Sequence, residues 1–157
     1  MRLPFFALLL ASALLLPALH AQREKFSLDD LEHIETTWPE AQKTNTGIRY
    51  IIQHPGVGQP PRPGDVLHVL YEGRLLDGTV FDRHMDRKNP FTFRLGRMAV
   101  IEGWDQILQL MKPGEKRLVI IPPELAYGSR GQPPRIPRDA SLVFTIELFA
   151  IDRETLH

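Results

Sequence analysis

The chain has 157 residues, 43% of them hydrophobic and 24% charged, enough for one core and little more. Nineteen Lys and Arg balance nineteen Asp and Glu, so no net positive field gathers phosphate or anionic lipid, and nucleic acid is not an expected partner. Cysteine is absent, which excludes disulfides, thiolate metal sites and cysteine nucleophiles.

Met1 and Arg2 precede an apolar run from Leu3 to Leu16, followed by Pro17, Ala18 to Ala21 and a polar continuation from Gln22. A basic start, a short apolar stretch and a small residue before polar chain describe a secretory signal peptide over residues 1–21. Leu19 departs from the small residue expected two positions before the cut, so cleavage elsewhere or an uncleaved anchor stays open. Export to a periplasm or the exterior is expected, with no membrane association after cleavage.

Ser27 is placed to cap a helix carrying Asp29 and Asp30 in its first turn, with Leu28, Leu31 and Ile34 on one face. Pro39 ends it. Residues 22–46 therefore read as a short helix and linker. Ile48, Tyr50 and Ile52 alternate with polar residues as a half-buried strand, and a Pro/Gly-rich loop from Pro55 to Asp65 leads to a second alternation at Leu67, Val69 and Tyr71. Asp77-Gly78 between apolar pairs signals a tight hairpin. Phe91, Phe93 and Leu95 alternate again, whereas Trp104, Ile107, Leu108 and Met111 recur at helical spacing until Pro113-Gly114. Strands resume over Lys116 to Ile121 and from Leu142 to Leu148. The pattern predicts an α+β fold, an antiparallel sheet of about five strands packed on one short helix.

The six histidines are dispersed, no Gly-x-Ser-x-Gly elbow occurs, and the glycines form neither a Walker loop nor a dinucleotide fingerprint. No cofactor and no metal is expected. A long proline-rich loop from Pro122 to Arg138 joins two strong strands, and loops of this length in small domains are usually functional flaps.

Read as a series, Val69 to Asp82, Pro90 to Gly96, Val100 to Asp105, Met111 to Glu115, Leu125 to Gly128 and Ala140 to Phe144 resemble the successive blocks of FKBP-type peptidyl-prolyl isomerases. The resemblance covers residues 47–152, leaving 153–157 as a tail, and implies a half-wrapped sheet with an apolar pocket between sheet and helix. It places Tyr71, Phe81, Phe91 and Phe144 as pocket walls, Trp104 as the floor, and Val100 and Ile101 along one side. It further implies that the Ile101 N–H and the Tyr127 hydroxyl bind substrate carbonyls, that Asp82 sits at the pocket edge, and that Arg87 pairs with Asp82. Read without the resemblance, Phe91, Phe144 and Trp104 are core residues by default, and Asp82 equally caps a turn.

Ile136 and Arg135 of the flap are assigned to substrate contact. Arg135 stands where the family often has an apolar residue, and Gln132 where it often has histidine. The implied activity is rotation about X-Pro bonds in proline-containing segments of folding, exported proteins, by a monomer, with macrolides as possible ligands. The competing reading is a weakly active binding or chaperone module using the same pocket.

Overall fold

The computed structural model describes residues 23–153, so the signal at 1–21 lies outside the described residues, as does the tail beyond Arg153. Helix α1 (Leu28–Thr37) starts where Ser27 Oγ accepts the Asp30 N–H at 3.2 Å, and it ends at Trp38, before Pro39. Strands β1 (Gln42–Lys43), β2 (Arg49–His54), β3 (Val66–Leu75), β4 (Val80–His84) and β5 (Phe91–Arg94) precede α2 (Glu102–Leu108). Strands β6 (Lys116–Ile121) and β7 (Leu142–Asp152) complete the sheet.

All pairings are antiparallel, in the order β1-β2-β6-β7-β3-β4, with β5 also on β3. Among the described residues seven strands stand where about five were expected. The two-residue β1 lies in the segment read as linker, held there by its pairing with β2. Strands β4 and β5 share one edge of β3: β4 pairs with Tyr71 to Arg74 and β5 with Val66 to Val69. The Asp77-Gly78 hairpin is present, with Gly78 at φ 89° and the Leu75 N–H donating to the Thr79 carbonyl at 2.9 Å.

Because strand side chains alternate between faces, each long strand feeds two cores. From β6 and β7, Val119, Ile121, Leu142, Phe144, Ile146 and Leu148 join one cluster with α2, while Ile120 and Val143 join another with Phe26 and Ile34. Helix α1 thus covers the face of the sheet opposite α2, and the Ser141 hydroxyl, just before β7, donates to Asp30 at 2.6 Å.

The expected α1 face is only partly used. Ile34 is buried and Leu31 half-buried, but Leu28 is 84% exposed. At about 100° per residue, Leu28 stands roughly 120° around the axis from Ile34, and the buried stripe is instead Leu31, Ile34 and Trp38. Among the described residues no helix is long and apolar enough to cross a membrane.

Candidate active site

Two glycines set the geometry between α2 and the sheet. A Cβ on Gly103, in the first turn of α2, would lie 2.6 Å from Ile121 Cγ2, so its absence lets the helix settle onto β6. That contact carries Trp104 down against the sheet, where it is 4% exposed. On β3, a Cβ on Gly73 would meet Phe81 Cζ at 2.6 Å and Phe144 Cε1 at 2.8 Å. Its absence gives those two rings room to pack edge to face, 5.6 Å apart and perpendicular.

Trp104 then becomes the hub of an aromatic cluster. Tyr71 stands 4.9 Å from it at 84°, Phe144 5.3 Å at 79° and Phe91 6.2 Å at 82°. These edge-to-face arrangements place positive ring edges on negative ring faces, each adding about 0.5–1.5 kcal/mol beyond burial. The rings wall a cavity of about 220 Å³ together with Ala99, Val100, Ile101, Asp82 and Tyr127.

Nine residues assigned from the sequence therefore meet at one cavity: Tyr71, Phe81, Asp82, Phe91, Val100, Ile101, Trp104, Tyr127 and Phe144. Ala99, the tenth lining residue, was not singled out, since a lone alanine before an apolar pair carries no signal of its own. Two assigned residues lie elsewhere. Ile136 is 1% exposed and belongs to the α2-side core, anchoring the flap instead of lining the cavity. Arg135 is exposed and borders a neighbouring cleft.

The polar groups around the cavity are few. The Tyr71 hydroxyl donates to Asp82 Oδ2 at 2.8 Å, and the other carboxylate oxygen accepts the Arg83 N–H at 2.8 Å. Burial, and then the Asp82 carboxylate, push the Tyr71 hydroxyl well above the usual tyrosine range. Tyr127 moves in the same direction, again mainly by burial and next by Asp82. Both hydroxyls therefore stay protonated at neutral pH.

The Tyr127 hydroxyl and the Ile101 N–H make no hydrogen bond among the described residues, leaving two donors at the cavity. Ile101 is the residue preceding α2, and its carbonyl, not its N–H, is occupied by Trp104 N at 2.9 Å. Arg87 does not pair with Asp82. It forms a bidentate bond with Glu147 at 2.8 and 2.9 Å, because Glu147 lies on β7 opposite Leu70 of β3, within reach of the loop after β4. Asp82 is held instead by Tyr71 and a backbone amide.

The flap is pinned at several points. Asp139 N donates to the Gly128 carbonyl at 2.9 Å, and Gln132 and Ile136 exchange backbone hydrogen bonds at 2.8 and 3.0 Å, putting Pro133-Pro134-Arg135 at a tight tip.

An α+β fold that holds an aromatic-walled cavity, with two free donors at its wall and a carboxylate at its edge, defines a receptor for an apolar, amide-bearing segment. The sequence matches the model of the FKBP-type peptidyl-prolyl cis-trans isomerases over residues 58–149, and the chain belongs to that family. Human peptidyl-prolyl cis-trans isomerase FKBP2 is 48% identical over 114 residues, spanning 73% of this chain and 79% of its own. FK506-binding protein 2 of Yarrowia lipolytica is 46% identical over 112 residues, spanning 71% and 78%. Among solved structures, a peptidyl-prolyl cis-trans isomerase from Pseudomonas syringae pv. tomato aligns with TM-score 0.71 and 35% identity, covering 80% of this chain and 92% of that one. FkpA from Escherichia coli aligns with TM-score 0.68 and 36% identity, covering 79% and 59%.

Proposed function

We propose that this protein is a peptidyl-prolyl cis-trans isomerase acting on X-Pro bonds of exported proteins as they fold. The observation that carries the reading is the aromatic cavity on Trp104, bordered by two protonated tyrosine hydroxyls and the unpaired Ile101 N–H. Rotation about a peptide bond meets a barrier of about 18–20 kcal/mol because the C–N bond has partial double-bond character. Twisting abolishes that resonance, so the amide loses charge separation. A cavity walled by rings solvates the planar dipole poorly and the less polar twisted amide comparatively well.

Proline is the ring that fits an aromatic-walled cavity of this size. Its bond is also the one with a substantial cis population and with exchange in tens to hundreds of seconds. Tyr127 and Ile101 supply hydrogen bonds to the flanking carbonyls, fixing the segment while the bond turns. Asp82 fixes the Tyr71 hydroxyl by accepting its hydrogen bond at 2.8 Å. A ten-thousand-fold acceleration asks for about 5–6 kcal/mol of preference for the twisted state, within reach of several modest contacts acting together. No proton transfer or covalent step is required, and the same cavity accommodates macrolide ligands of matching shape.

The test is exchange spectroscopy on uncharged X-Pro peptides, in which isomerisation is followed without a coupled protease. Catalytic acceleration is expected. Binding of an unfolded chain with exchange at the spontaneous rate overturns the enzyme reading in favour of the binding module. Export rests on residues 1–21, with a monomer as the mature form, and fractionation of a bacterium expressing the full chain tests it. A shortened product outside the cytoplasm is expected, and a full-length cytoplasmic one overturns that part.

A further inference from the structure

Beside the aromatic cavity lies a second, more open cleft that shares Phe81 and Asp82 with it. Its far side is the flap tip, Pro134 and Arg135, and its near side is β4, including Arg83. The two share a wall, so the cleft adjoins whatever segment the first cavity holds.

The charges around the cleft are unequal in their partners. Arg83 lies 3.5 Å from Glu72, which Arg74 also binds. Asp82 has both carboxylate oxygens engaged, one by Tyr71 and one by a backbone N–H. Arg135 is exposed and makes neither an ion pair nor a side-chain hydrogen bond among the described residues. The same holds for Arg130 and Arg138, so residues 126–138 carry three arginines and no acid in a chain whose total charge is zero. By contrast Arg49, Arg74, Arg87, Arg117 and Arg153 all have carboxylate partners.

Fixing the free cation at a pinned tip also matters. The backbone bonds between Gln132 and Ile136, with Ile136 buried beneath, hold Arg135 beside the cleft. A guanidinium held in place loses less freedom on pairing with a carboxylate than one on a mobile loop.

We infer that Arg135 is a specificity residue: facing Arg83 across the cleft, it selects X-Pro segments carrying an acidic side chain adjacent to the proline. The inference rests on the isomerase reading of the neighbouring cavity and names the substrate class that this cavity favours. A partly exposed ion pair of this kind changes kcat/KM by roughly two- to fivefold, and salt weakens it.

Exchange spectroscopy on three matched peptides, with Glu, Gln or Lys placed on either side of the proline, reads this directly. The quantity is the ratio of kcat/KM for the Glu peptide to that for the Gln peptide within one variant, which cancels any general change in activity. The wild type is expected to show a ratio of about two to five in low salt, falling toward one at high salt. Arg135→Gln is expected to bring the ratio to one, and Arg135→Glu to invert the preference in favour of the Lys peptide. Acceleration of the Gln peptide with a wild-type ratio of one, or a ratio unmoved in Arg135→Glu, overturns the inference and leaves the isomerase reading standing. Failure to accelerate the Gln peptide at all removes the isomerase reading, and the inference with it.

Discussion

The two faces of the sheet are built from the same strands, yet the cavities on them are lined by different side chains. On the α1 side, Phe26, Ile34, Ile120 and Val143 form a small cluster, flanked by Leu31, Trp38, Leu76 and Leu118, and a cavity of about 300 Å³ at Ile34 and Trp38 is bordered by Glu35 and Arg49. On the α2 side, large rings meet edge to face and leave a cavity among them. The first cavity has charged side chains at its border, whereas the second is walled by rigid rings that contact by their edges. The difference teaches that the site follows from the shape of the side chains chosen for one face, because alternation supplies both faces equally.

Substitutions on the two faces should separate stability from turnover. The largest effect is expected from Trp104→Ala, which removes the hub of the ring cluster: about 3–5 kcal/mol of stability by denaturant unfolding, together with loss of isomerase turnover. Ile34→Ala should cost a comparable but smaller amount, roughly 2–4 kcal/mol, while kcat/KM of the folded protein stays at the wild-type value. If turnover falls with Ile34→Ala in step with stability, the faces are not independent.

Gly73→Ala probes the ring-walled face more finely. The added methyl must displace Phe81 or Phe144, an overpacking penalty of about 1–3 kcal/mol, and turnover should fall by more than stability alone explains. Ser27→Ala, which removes the cap of α1, should cost about 1 kcal/mol and leave turnover untouched.

The smallest effect near neutrality is the pH response of Tyr71 and Tyr127. Both have folded pKa values raised above 10.0, so above about pH 10 the unfolded chain releases protons that the native state keeps. Their contribution is therefore complete below pH 10 and declines above it. Tyr71→Phe with Tyr127→Phe should flatten that alkaline decline in a urea-midpoint titration without changing its slope between pH 6 and 9.

Much of this was legible in the chain. Alternation in β3, β6 and β7, helical spacing from Trp104 and the Ser27 cap all depend on neighbours in sequence, and all are present. What escaped depends on distance in space. Strand β1 is two residues long, too short for any period, and exists because β2 pairs with it. The partner of Arg87 was misassigned because Glu147 is sixty positions away and arrives only through the register of β7 on β3. Ile136 and Arg135 are neighbours with similar prospects in sequence, yet the backbone exchange at Gln132 and Ile136 turns one inward and leaves the other on the rim. The cavity itself was legible through resemblance, whereas aromatic alternation alone also describes ordinary core.

The hydrogen bond from Ser141 to Asp30 joins residues 111 positions apart, one inside and one outside the segment 58–149 that matches the family model. A gene fragment trimmed to residues 58–149 would discard both α1 and the whole of β2, baring Ile120 and Val143 to water and opening the β6 edge of the sheet. Such an edge is a template for pairing with other chains. The matched segment and the segment that keeps Ile120 and Val143 covered are therefore different lengths of the same polypeptide, and expression trials should begin no later than Phe26.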